Sequence, residues 1–178
     1  MSLYSLSGIL TAPSNPAELP VSSDWTAIEN QIGKLPTDYK HFLERFGSGT
    51  IDNFLWILNP FSRNKYGNLL TVMEPVLSAL KELRDSGEDS PYPLHPESGG
   101  LLPFGKTDNG DALFWQTVGE PDRWPIVVNA ARDPTYEKFE SDMTDFLAGI
   151  LSRHVRCSIF PDDFPSQRPV FTPSPPNR

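Results

Sequence analysis

The dipeptide Asn109-Gly110, set between the apolar runs Leu101–Thr107 and Asp111–Val118, constrains this chain more than any other feature. Asn and Gly enter the left-handed backbone region at little cost, so this pair between two strand-like runs predicts a tight type I′ hairpin. Two further strands are expected close behind it, Trp124–Ala131 around Ile126-Val127-Val128, and Tyr136–Phe139. Connections this short leave no room for helical crossovers, so the sheet is expected to be mainly antiparallel.

Upstream, Trp25, Ile28, Ile32 and Leu35 recur at helical spacing behind Asp24, a good N-cap, which predicts a helix over Asp24–Lys34. Pro36 suits the first position of a second helix. Tyr39, Phe42, Leu43 and Phe46 form its apolar stripe, and Gly47 is placed to end it. Ile51–Leu58, rich in β-branched and aromatic residues, reads as one strand stopping at Asn59-Pro60. A third helix is expected over Asn68–Leu83, with Leu69, Leu70, Met73, Val76, Leu77 and Leu80 inward and Pro75 kinking it or marking its true start. Ser86–Gly100, broken by Pro91, Pro93 and Pro96, reads as a surface loop. Met143–His154 closes the pattern as a helix packing through Phe146, Leu147, Ile150 and Leu151. Two helices, a strand, a helix, hairpin-linked strands and a closing helix make an α+β chain, with helices expected on one side of the sheet or around its edge.

A chain of 178 residues is the size of one domain with one core. The expected division is a proline-containing N-terminal segment over 1–23, the α+β domain over 24–154, and a proline-rich strap and tail over 155–178. Both ends should lack long helices. Ile159, Phe160, Phe164, Val170 and Phe171 should hold part of the strap along the domain, leaving only the last few residues loose.

No apolar run approaches the ~20 residues that cross a bilayer, and Met1–Leu10 lacks the basic start and apolar stretch of a signal peptide. The lone Cys157 cannot form an internal disulfide, and the sequence has no Asn-x-Ser/Thr site. A cytoplasmic location is therefore expected, with no membrane contact. The formal charge of −8 repels phosphate backbones, which disfavours direct nucleic-acid binding and suits a basic partner, although the same charge also serves solubility.

Chemical motifs are few. Gly100-Leu-Leu-Pro-Phe-Gly105-Lys106-Thr107 spells a phosphate-binding loop, but such a loop needs a strand before it and a helix after it, and here the order is loop, strand, turn, strand. His41, His95 and His154 lie in separate segments without metal-ligand spacing. Ser48, in Gly47-Ser48-Gly49, resembles a fragment of a nucleophile elbow, yet turn chemistry explains it better. No catalytic set, metal site or cofactor site is expected. Asp108 and Asp111 flank the hairpin turn, where aspartates commonly bond nearby backbone N–H groups. With Glu120 and Asp122 they make a stretch free of Lys and Arg, which would form an acidic rim beside Trp124 if the hairpin and the loop after Val118 lie close together. Asp108, Asp111, Glu120, Asp122 and Trp124 are accordingly the candidate partner-binding residues. The alternative is a solvated face over a core tryptophan.

Trp25-x-x-Ile28-Glu29, Leu35-Pro36-x-Asp38-Tyr39-Lys40-x-Phe42-Leu43, Gly47-Ser-Gly49, Leu102-Pro103-Phe104-Gly105 and Asn109-Gly110-Asp111 follow one another in an order that resembles the SUKH superfamily. The resemblance continues through Phe114-Trp115, Trp124-Pro-Ile-Val-Val128 and Thr144-Asp145-Phe146-Leu147, covering roughly Asp24 to Leu151. It implies an α+β fold, no cofactor and a protein partner. Bacterial members of the family look mostly like immunity proteins that neutralise toxins by binding them, often nuclease-type toxins. The family is also named for a yeast regulator of cell-wall synthesis, which implies the alternative of a regulatory or scaffold protein binding a cellular enzyme. An enzyme assembled from scattered Asp, Glu and His residues is the third and weakest reading.

Overall fold

The computed structural model describes residues 3–175. Along them run α1 (Leu3–Ser7), α2 (Trp25–Ile32), α3 (Thr37–Phe46), β1 (Gly49–Ile51), β2 (Leu55–Ile57), α4 (Leu69–Asp85), β3 (Leu101–Thr107), β4 (Ala112–Gln116), β5 (Ile126–Asn129), β6 (Tyr136–Phe139), α5 (Met143–Leu151) and β7 (Phe171–Pro173). The strands form one sheet in the order β6-β5-β4-β3-β2-β1-β7, and every pairing is antiparallel. The α+β class is as expected.

The hairpin of β3 and β4 is present, but its turn is not type I′. Gly110 has φ 93 while Asn109 stays at negative φ, Gly110 N donates to Thr107 O at 3.0 Å, and Thr107 N donates to Asp111 O at 3.0 Å. This is a type I turn followed by a left-handed glycine, the usual three-residue loop. The turn with two left-handed central residues lies elsewhere. Asp52 and Asn53 have φ 52 and 50, and Phe54 N donates to Ile51 O at 3.0 Å. The run Ile51–Leu58 is therefore two strands joined by that turn rather than one, because Asx residues adopt the left-handed region more readily than other non-glycine residues.

Alternation along the strands sorts the side chains into two layers. Ile51, Leu55, Ile57, Leu102, Leu113, Trp115, Ile126 and Val128 face the main core, with α2, α3, α5 and Leu6 and Leu10 from the N-terminal segment packed on them. Tyr39 carries its ring edge-on to Trp115 at 4.9 Å and donates its hydroxyl to Leu58 O at 2.6 Å. On the other face Leu101, Phe114 and Val127 form a smaller cluster with Leu94, covered by Val76, Leu77 and Leu80 of α4. Helices thus lie on both faces, not on one side or around the edge.

Other expectations shift in detail. Asp24 has helical φ/ψ and makes no side-chain cap, because a 3-10 turn over Ser22–Asp24 leads into α2. Asn68 does cap α4, accepting from Thr71 N at 3.1 Å. Pro75 lies inside α4, and of that helix's expected inward residues only Leu69 is buried while the rest are half-covered. The region Trp124–Ala131 yields a strand only over β5, since Trp124 follows a 3-10 turn at Pro121–Arg123.

The strap becomes part of the sheet. Cys157, Phe160 and Phe171 are buried, and Phe171–Pro173 pairs with β1 as the edge strand β7, while Val170 stays 58% exposed. Asp52 fastens the strap by accepting from Ser166 N at 2.8 Å and Val170 N at 2.9 Å. The loose end expected at the C-terminus falls on residues 176–178, outside the described residues.

Candidate functional site

The five residues picked out from the sequence do not converge. Asp108 and Asp111 sit at one end of β4 and Glu120 and Asp122 at the other, with the five residues of β4 between, a span of about 17 Å. The single rim that required the hairpin and the loop after Val118 to adjoin does not form.

Asp111 is buried, accepting from Thr107 Oγ1 at 2.6 Å and from Ala131 N at 2.9 Å, so it ties the hairpin to the segment after β5. Trp124 is buried against Trp115 and donates its indole N–H to Gly119 O at 3.1 Å. Asp108 is exposed and accepts from Trp56 Nε1 at 2.7 Å. Glu120 is exposed.

Asp122 belongs to a different constellation. It accepts from Thr37 N at 2.6 Å and from Thr37 Oγ1 at 3.1 Å, at the start of α3. The next residue, Asp38, accepts from Tyr39 N at 2.8 Å and, across to the start of α5, from Thr144 N at 2.9 Å. Asp142 caps α5 by accepting from Asp145 N at 2.7 Å. Three carboxylates therefore gather where two helix N-termini meet, a placement favoured by the exposed N–H groups and the positive ends of the helix dipoles. Burial pushes the Asp38 carboxyl above its ordinary range, with the nearby Asp142 charge adding to the effect against the pull of the N–H donors. Glu120 flanks this corner from the loop before Pro121. The sequence shows Glu120 and Asp122 as neighbours but not that Asp38 and Asp142 join them, because those two reach Asp122 through tertiary packing.

A second surface was not visible in the sequence at all. Trp56 pairs across the sheet with Thr50 on one side and Lys106 on the other. Its neighbours Leu55 and Ile57 point into the main core, so Trp56 points to the opposite face, beyond the end covered by α4. Lys106 lies over the Trp56 ring at 5.0 Å and over Tyr66 at 5.7 Å. Gly100–Thr107, the spelling of a phosphate-binding loop, is thus β3 with the residue before it, and its lysine rests on aromatic rings.

Ser48 is 3% exposed and accepts from Asn59 Nδ2 at 2.9 Å. His95 bonds Ile32 O at 3.0 Å and His154 bonds Ser152 Oγ at 2.7 Å, while His41 is exposed. Among the described residues, no three His, Cys, Asp or Glu side chains are grouped to hold a metal ion, and no helix is long and apolar enough to cross a membrane.

An antiparallel sheet with helices on both faces and an acidic corner at two helix N-termini defines an α+β domain. A family model described as SUKH_6, SMI1-KNR4 cell-wall, matches residues 22–147, and the chain belongs to that family. No curated protein and no solved structure matches the chain.

Proposed function

We propose that this chain is a non-catalytic, cytoplasmic protein-binding domain of the immunity type, which neutralises a cognate toxin by covering it. Membership of the SUKH family over residues 22–147 carries the reading. The charge of −8 and the corner formed by Asp38, Glu120, Asp122 and Asp142 support a basic partner, such as a nuclease-type toxin domain, since opposite charge speeds encounter and disfavours wrong partners. Asp108, the exposed member of the hairpin pair, lies outside that corner, bonded to Trp56. The domain limits proposed are 24–154, followed by the strap and tail over 155–178, in which Phe171–Pro173 supplies the added edge strand. No cofactor and no direct nucleic-acid contact enter the proposal.

The test is to search for a toxin-type domain encoded beside this gene and to co-express it with the chain. Growth rescue by the chain is expected, with loss of rescue when Glu120 and Asp122 are changed to lysine in a variant that still folds. Failure of the unaltered chain to rescue would overturn the reading. The family's description, with its reference to the cell wall, favours a second reading, a regulatory or scaffold protein binding a cellular enzyme. Affinity purification from the native cell separates the two, because recovery of a housekeeping complex without a toxin supports scaffolding.

A further inference from the structure

The face of the sheet opposite the main core is closed only in part. α4 covers Leu101, Phe114 and Val127, and its cover stops short of Trp56, which belongs to neither core cluster. Toward the β7 edge the face therefore presents Thr172, Thr50, Trp56 and Lys106 in one cross-strand row. The loop before α4 folds back so that Tyr66, 61% exposed, stands beside them.

The chemistry of this patch differs from that of the chain as a whole. Lys65 lies over the Tyr66 ring at 5.0 Å, and Lys106 lies between the rings of Tyr66 and Trp56. Neither lysine is in a salt bridge among the described residues. Asp108, a carboxylate at the patch, accepts from the indole N–H of Trp56, which fixes that ring in place. Two ammonium groups thus stand over neighbouring rings, in a chain whose net charge is −8. Aromatic rings flanked by cations, with the Trp56 ring held by a hydrogen bond, have the composition of a binding hot spot.

We propose that this open end of the sheet is a docking surface for an acidic protein segment that carries an aromatic or aliphatic anchor residue. The anchor packs on Trp56 and Tyr66 while its flanking carboxylates pair with Lys65 and Lys106, which keep their contacts with the rings. The surface is opposite in sign to the acidic corner and does not rest on the toxin reading. It gives the domain a second contact, with a partner of different chemistry.

A random-peptide display library selected on the folded chain tests this directly. Expected are enriched peptides rich in Asp and Glu around a Trp, Phe or Leu, whose binding falls about tenfold in a Lys65→Glu, Tyr66→Ala double variant. Both positions are exposed, so that variant should melt with the parent, and a Lys106→Gln variant gives an independent check on the charge. Enrichment of basic peptides, acidic peptides indifferent to all three substitutions, or no enrichment would each overturn the proposal. Oligothymidylate competing off the selected peptides and binding more tightly than they do would also overturn it, by assigning the stacked rings and lysines to single-stranded nucleic acid.

Discussion

Helices α1, α2, α3 and α5, with Leu69 at the start of α4, close one face of the sheet, whereas the rest of α4, with Tyr92 and Leu94, lies over Leu101, Phe114 and Val127 on the other and leaves the β2 end less covered. On the closed face Tyr39, Phe42, Phe46, Phe104 and Trp115 are almost wholly removed from water. On the other, Trp56 is half-covered and Tyr66 is mostly exposed. Both faces use aromatic residues from neighbouring strands or helices, so residue type does not separate core from surface. What separates them is whether a helix lies above, and that depends on how far α4 extends across the sheet.

The largest effect that would sharpen this contrast is expected from Phe42→Ala. Phe42 is 0% exposed and stacks on Phe46 at 4.6 Å, so truncation leaves a cavity bounded by α3 and the edge strand β7. A loss of about 3–5 kcal/mol is expected in urea unfolding. Under α4, Leu77 is only half-covered, and Leu77→Ala should cost about 1–2 kcal/mol in the same measurement. Equal losses at the two positions would break the comparison, since they would mean that α4 closes its face as tightly as the other helices close theirs.

These two faces were unequally legible in the sequence. The hydrophobic stripes of α3 and α5 and the alternation within β3 to β5 could be read because period and burial agree there. The run Ile51–Leu58 hid its reversal at Asp52-Asn53, since an Asx pair without glycine gives a weak turn signal inside a strongly apolar stretch. Reading it as one strand removed β1 and β2 as separate elements and with them the cross-strand neighbours of Trp56. The stripe of α4 was visible but its depth was not, because periodicity reports which side is apolar and says nothing about how much lies over it. The acidic rim failed for a related reason. Closeness in sequence placed Asp108 with Asp122, and a strand running between them carried the two ends apart.

The closed face also holds a group whose protonation should register in stability. Burial, followed by repulsion from Asp142, holds the Asp38 carboxyl above its ordinary value of 3.8. The folded chain then binds a proton there more tightly than the unfolded chain does, so stability attributable to this group falls as pH rises from about 3.8 through the raised value. Asp38→Asn cannot ionise, and relative to the parent it should gain ground across that interval in thermal melts taken at successive pH values. Glu29 acts in the opposite sense. Burial would raise it, but the Lys40 ammonium and Leu35 N–H, together with the Lys34 charge, hold it below the usual range, so its contribution is lost as pH falls. If Asp38→Asn instead loses ground as pH rises, the N–H bonds from Tyr39 and Thr144 outweigh burial at this junction of α3 and α5.

The smallest expected effect is the most informative about the open face. Tyr66→Ala removes a ring that is 61% exposed, whose described contacts are with lysine side chains and whose backbone N–H is held by Asn64 Oδ1 at 3.0 Å irrespective of the side chain. Its unfolding free energy should stay within about 0.5 kcal/mol of the parent, the range for surface positions away from packed features. A loss of about 2 kcal/mol or more would show that Tyr66 and Lys106 together seal the end of the sheet as part of the core. In that case the β2 end is closed by the loop before α4 instead of being left for a partner. A ring that can be deleted without loss of stability leaves its contact area available for binding, since the folded state does not depend on it.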